Sequence, residues 1–271
     1  MNYPLNISKP IFLSCITFFC FFAVFSQEAQ PEGEGNLAND VQNPVADIVS
    51  IPFQNNLDFN DINRNTLNIQ PVLPFGITEN VNLIFRNIIP VISGPDLSSP
   101  FVGKTSGIGN ISTAMLFTPA KPGKIIWAVG PTLTWGSVTP GLGFEKFALA
   151  PSALGLYQNN GWTIGAIAQN SWSVAGPSDA ADVNLFYAQI FVVKNLANGW
   201  YVNSAPIITA NWEAPSGNQW NVPLGAGFGR LFKLNKLPIN AQLGYYHYIT
   251  SADGSSGQLR FQIQAILPKL Y

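Results

Sequence analysis

The sequence predicts an all-β fold, an antiparallel transmembrane β-barrel of about 12 strands. Three observations predict it. Segments that alternate apolar and polar residues recur along most of the chain, each long enough for the roughly 9 to 11 residues a tilted strand needs to cross a bilayer. All seven tryptophans stand on the apolar parity of these segments, mostly near their ends. The opposite parity is polar but neutral, and nearly every carboxylate falls in the segment before the first strand, in a connection or at a strand end.

Composition agrees. The chain has 271 residues, 47% of them hydrophobic, and only 10% charged. A soluble domain usually carries about 25% charged residues. So few charges imply a surface that faces something other than water. The net charge of -1 provides no basic field for nucleic acid, and none is expected as a partner.

The N-terminus reads as a secretory signal over residues 1–26. Lys9 precedes an apolar run from Ile11 to Phe25, and cleavage is expected near Ser26. The run is short for a membrane span. Both cysteines, Cys15 and Cys20, lie within it, so the mature chain is expected to lack disulfides and thiol chemistry. Residues 27–45 carry Glu28, Glu32, Glu34 and Asp40 with no Lys or Arg, and read as a mobile acidic periplasmic leader; this leader or a folded-in loop could also plug the barrel. The barrel is expected over 46–271.

Its strands are expected near 47–59, 65–75, 80–92, 107–118, 124–135, 146–157, 161–174, 183–195, 199–212, 219–234, 238–249 and 257–269. Tight connections such as "GITE", "PAKPGK", "QNN", "LANG" and "LNKL" alternate with longer, more polar ones such as "GSVTPGLGFE" and "AGPSDAAD". Short periplasmic turns alternating with longer extracellular loops are the habit of outer-membrane barrels. A soluble β-sandwich also alternates, but it would scatter tryptophan through its core and show Lys and Glu on its wet face.

The last strand, "GQLRFQIQAILPKLY", divides cleanly. Leu259, Phe261 and Ile263 share the lipid parity, and Arg260, Gln262 and Gln264 the inner one. Its terminal aromatic, Tyr271, and alternate apolar residues resemble the signal read by the barrel-assembly machinery, although Lys269 interrupts the pattern. Lumen-lining residues are expected at Arg86, Arg260, Gln70, Gln169, Asn203, Gln242, Gln262 and Gln264. An outward arginine at mid-bilayer would cost roughly 2–4 kcal/mol, which favours the inward parity of Arg86 and Arg260. Gln54, Asn56 and Asp58 could line the lumen or its mouth, or belong to an ordinary closing strand. Arg230 has outward parity but lies near the periplasmic end, where it could snorkel. Gly225, Gly227 and Gly229 are expected inward, relieving crowding. An aromatic girdle is expected from Trp127, Trp135, Trp162, Trp172, Trp200, Trp212, Trp220 and Tyr271. The strand at 183–195, "VNLFYAQIFVVKN", is apolar on both parities and cannot be oriented from its pattern.

The segments "NPVADIVSIPFQNNLDF", "TLNIQPVLPF", "WAVGPTLT" and "GWTIGAIAQNSWSVAG" resemble a bacterial outer-membrane family. It is described as similar to a protein of the meta-pathway of phenol degradation; its members are called transporters, and some carry the label neuromedin U. The resemblance runs from about residue 43 to the end. It implies a β-barrel and uptake of small, hydrophobic or aromatic compounds, and it supplies no site residues.

Little else points to chemistry. His247 is the sole histidine, with Ser251 four residues on and no nucleophile motif. No catalytic residue, metal site or cofactor is expected, and the chain reads as a non-enzyme. Three function classes follow. The first is a passive channel or transporter for small solutes in the outer membrane of a Gram-negative-type cell. The second is a closed structural or binding barrel with functional extracellular loops, above all 93–106. The third is a lipid-modifying barrel enzyme, which would rest on His247. The expected partners are outer-membrane lipid, the assembly machinery and an unidentified solute.

Overall fold

The computed structural model describes residues 32–60, 63–95 and 103–267. A helix, α1 (Glu32–Val41), precedes fifteen strand segments: β1 (Val49–Phe59), β2 (Arg64–Ile69), β3 (Val72–Gly76), β4 (Val81–Pro95), β5 (Lys104–Ile108), β6 (Ser112–Pro119), β7 (Ile125–Thr134), β8 (Phe147–Asn159), β9 (Trp162–Ala175), β10 (Asn184–Asn195), β11 (Trp200–Ser204), β12 (Ile207–Asn211), β13 (Trp220–Leu234), β14 (Leu237–Thr250) and β15 (Gly257–Leu267).

Three pairs of segments are single staves with a break. Pro71 separates β2 from β3, and Pro206 separates β11 from β12; residues 109–111 separate β5 from β6. Proline has no N–H to give to a ladder, so the hydrogen bonding stops there while the chain runs on. Counting each pair once leaves twelve staves, all antiparallel. The ring closes because β1 pairs with β15 along its whole length, from Val49↔Leu267 to Phe59↔Gly257. Closure removes both sheet edges.

One end of the barrel carries tight connections and the described ends of both terminal strands. The β8–β9 hairpin turns there on Asn160 and Gly161, at φ 48° and 71°. Both central residues are left-handed, as a two-residue turn matched to strand twist requires. The other end carries the longer loops. There residues 136–146 fold over the neighbouring edge, where Val138 and Thr139 donate N–H groups to the carbonyls of Gly109 and Ile108.

The alternation divides the faces as expected. In β15, Leu259, Phe261 and Ile263 are 39%, 44% and 40% exposed, whereas Arg260 and Gln264 are 2% and 7% exposed. Exposed Leu, Ile, Val, Phe and Trp continue around the outside on most staves. Water does not tolerate an apolar belt of that extent, and a bilayer requires one. Among the described residues, no helix is long and apolar enough to cross a membrane.

The interior is less polar than the inner parity implies. Ile84, Leu116, Ile126, Leu154, Leu156, Ile167 and Phe191 point inward and form a buried apolar cluster. These residues lie toward the turn end of their strands. Val45, from the segment before β1, belongs to the same cluster. The leader, expected to be mobile, is therefore over its described part a helix followed by a segment packed inside the barrel. This also orients β10. Its inward positions include Phe191 and Val193, which are buried, and its outward positions include the exposed Ile190 and Val192. Both parities are apolar because one meets the outer belt and the other meets the inner cluster.

Candidate lumen site

The leader is held at the turn end by polar contacts. Asn39 accepts hydrogen bonds from two staves: its carbonyl from Gln158 Nε2 at 2.8 Å and its Oδ1 from Asn195 Nδ2 at 3.0 Å. The chain then turns sharply, with Asn43 Oδ1 accepting the Val45 N–H at 3.0 Å. That turn drives Val45 inward; Ala38, Val41 and Ala46 are buried beside it. Burial, then the nearby Asp47 carboxylate, push the Asp40 carboxyl above the usual carboxylate range.

Behind the leader lies a cavity of about 140 Å³. The leader forms one wall through Val41 to Ile48. The opposite walls are inward side chains of β1, β3, β4, β10, β11, β14 and β15 together with Gln70 and Ala205. Of the residues expected to line the lumen, Arg86, Gln70, Asn203, Gln242, Gln262 and Gln264 meet at this cavity. Gln169 stands elsewhere on the inner wall, where Ser152 Oγ donates to its Oε1 at 3.0 Å. Gln54 lines the cavity too, while Asn56 and Asp58 lie farther toward the loop end.

The two inward arginines have different surroundings. Arg86 is half-buried, faces the cavity and donates from Nη2 to Gln70 Oε1 at 2.7 Å. Arg260 is built into the wall. Its Nη1 donates to the Ala205 carbonyl at 2.7 Å, its Nε and Nη2 donate to Gln258 Oε1 at 3.2 and 2.8 Å, and its guanidinium carbon lies 4.3 Å from the Tyr246 ring centre. Ala205 stands at the Pro206 break, where the ladder leaves its backbone groups without strand partners. Arg260 takes its carbonyl, and the Tyr246 hydroxyl accepts its N–H at 3.2 Å. Gln258 in turn donates to Asp58 Oδ1 at 2.8 Å, which links the Arg260 charge to a carboxylate through one amide.

Glycines shape this wall. A β-carbon on Gly229 would collide with the ring and hydroxyl of Tyr201. Tyr201 is buried against the strand, and its hydroxyl donates to Asn240 Oδ1 at 2.8 Å.

On the outside, Trp127, Trp162 and Trp200 stand toward the turn end, and Trp135, Trp172, Trp212 and Trp220 toward the loop end. All seven are exposed. Lys194 and Arg230 lie over the rings of Trp162 and Trp200, at 5.1 and 5.2 Å from their centres. Trp212 and Trp220 stack edge to face with centres 5.3 Å apart. Tyr271 and Lys269 fall outside the described residues, as do 96–102 of the long loop. His247 is exposed on the outer face. At the loop end, the hydrogen bond from Lys146 holds the exposed Asp182 carboxyl below its usual range. The described residues contain no group of three or more His, Cys, Asp or Glu placed to hold a metal.

Periodicity marked the inward polar positions, but it could not find Val45, the Tyr187 side chain packed against the same apolar cluster, Tyr246 or the leader wall. Their signal was weak: an apolar Val-Ala pair in an otherwise polar segment, and tyrosines on an inner parity.

No protein-family model matches the chain, and no curated protein matches it. Solved structures do. An outer membrane channel from Pseudomonas putida F1 superposes with a TM-score of 0.64 at 13% identity, over 89% of this chain and 100% of that one. The NanC porin superposes with a TM-score of 0.52 at 6% identity, over 82% of this chain and 100% of that one. At these identities the likeness is one of fold: this chain has the barrel architecture of bacterial outer-membrane proteins.

Proposed function

We propose that the chain is an outer-membrane barrel that passes small solutes through a lumen closed at its periplasmic end by its own leader. The observation that carries this is the placement of Ala38 to Ala46. That segment fills the turn end through side-chain packing and a few hydrogen bonds, with a cavity behind it. A non-covalent plug can leave without breaking the barrel ladder, which a packed core could not do.

The turn end is periplasmic in this reading, residues 1–26 are the secretory signal, and the terminal strand engages the assembly machinery. The outer belt contacts lipid, with the tryptophans at the two headgroup levels. Resemblance to the meta-pathway family suggests small apolar or aromatic solutes. The chain acts by passage rather than by catalysis.

The test is planar-bilayer conductance of the folded mature chain, which lacks Cys15 and Cys20 once the signal is removed. Asn39→Cys with Asn195→Cys, whose side chains now touch, would tie the leader to β10. The oxidised form is expected to be silent and the reduced form to conduct. Silence in both states from demonstrably folded barrels would overturn passage. The closed binding barrel would then take its place, with its loops as the working surface.

A further inference from the structure

The cavity behind the leader has an uneven chemistry. Arg86 is the one charged side chain among the described residues that line it, and no carboxylate is among them. Gln70 Oε1 accepts one of the Arg86 N–H groups, and the planar fork has others to offer. Asp58 lies toward the loop end, where it accepts from Tyr248 at 3.1 Å and from Gln258. Asn203 lines the same cavity and is 6% exposed, and its Oδ1 has no hydrogen-bond partner among the described residues. A buried acceptor without a donor is costly and marks a place where a donor belongs. The remaining lining includes apolar side chains, Val41, Val72 and Phe191 among them.

We propose that this cavity is a binding site for a small hydroxy- or amino-carboxylate. The carboxylate takes the Arg86 fork, the ligand's donor takes Asn203 Oδ1, and the short hydrocarbon lies against the leader and Phe191. Size limits the ligand. A cavity of roughly 150 Å³ holds one benzene, so a space of this order takes about six or seven heavy atoms. The proposal rests on the lumen being a solute path, and it adds a small acid to the apolar or aromatic solutes that the resemblance suggests. Because the leader supplies a wall, occupancy holds the leader in place, and a docked leader tightens binding by the same factor.

Calorimetric titration of the full folded chain in detergent tests this, with 3-hydroxybutyrate as the probe. Its neutral amide should bind at least about tenfold more weakly, since a charged hydrogen-bonding pair is lost. Arg86→Gln should weaken the acid to a similar degree, and Arg86→Lys should recover part of the loss. Butyrate, which lacks the hydroxyl, should bind more weakly than 3-hydroxybutyrate, and Asn203→Ala should erase that difference. Equal binding of acid and amide, an unchanged Arg86→Gln variant, or no binding up to roughly 10 mM would overturn the site. Should Arg86→Gln fail to fold, the comparison of acid with amide on the unaltered chain decides. The two readings fail separately. Conducting barrels that do not bind the acid lose the site and keep passage, whereas silent barrels that bind it lose passage and keep the site.

Discussion

Arg86 and Arg260 share a parity and a charge, and the sequence offers no means of telling them apart. Their surroundings do. Arg260 is 2% exposed and satisfies a backbone carbonyl released by the Pro206 break. Replacing it with methionine keeps the bulk but strands Gln258 Oε1 and leaves that carbonyl only the long 3.5 Å hydrogen bond from Gln189 Nε2, so Arg260→Met should destabilise the barrel by about 2–4 kcal/mol. Arg86 is half-buried beside the cavity, and Arg86→Gln should lose less than about 1 kcal/mol. Urea unfolding in lipid vesicles measures both. The reverse order would mean that the roles of the two arginines had been exchanged.

At the scale of elements, most of the barrel was legible in the sequence. Each of the twelve expected segments corresponds to a stave, because one-sided burial leaves a period-two record in Leu, Ile and Phe. The breaks were signalled by Pro71 and Pro206 but were read as continuous strand. The orientation of β10 was not legible, since both of its faces meet apolar surroundings. β13 shows what a strand interior can demand. The β-carbon missing from Gly229 makes room for Tyr201, whereas Gly155 of β8 has nothing near its β-carbon position. Gly229→Ala should therefore cost about 1–3 kcal/mol by overpacking, and Gly155→Ala should stay within about 0.5 kcal/mol. Equilibrium unfolding midpoints of the two variants check this, and equal shifts would mean that Tyr201 yields without loss.

For the whole molecule, whether the leader enters the barrel is what the sequence left open. A short polar, acidic stretch reads as solvated, and only the fold reveals that Val45 completes an apolar cluster assembled from seven distant strands. The candidate site was half legible for the same reason: the polar wall follows from parity, and the leader wall does not. Docking is also coupled to the protonation of Asp40. The Asp40 carboxyl is raised when docked, by burial first and by Asp47 second. A group that holds its proton more tightly when docked favours docking below its free value, and it loses that contribution as pH rises through the docked value. The leader should therefore be more firmly seated in mild acid than at neutral pH. Asp40→Asn should seat it firmly at both and flatten the dependence. Hydrogen exchange of residues 38–46 as a function of pH reads this directly, and a leader that tightens as pH rises would contradict it.

The seam between β1 and β15 sets an order of events in time. The first strand finds its partner in the last, so the ring cannot shut until nearly all of the chain has been delivered. The segment immediately before β1 ends up within that ring. It must be in position by the moment of closure or be threaded in afterwards through an end. A chain stopped short of Gly257 would keep β1 as a bare edge, open to pairing with its neighbours. Assembly of this barrel is therefore a race between closing correctly and joining another copy, and its outcome is decided at the final strand.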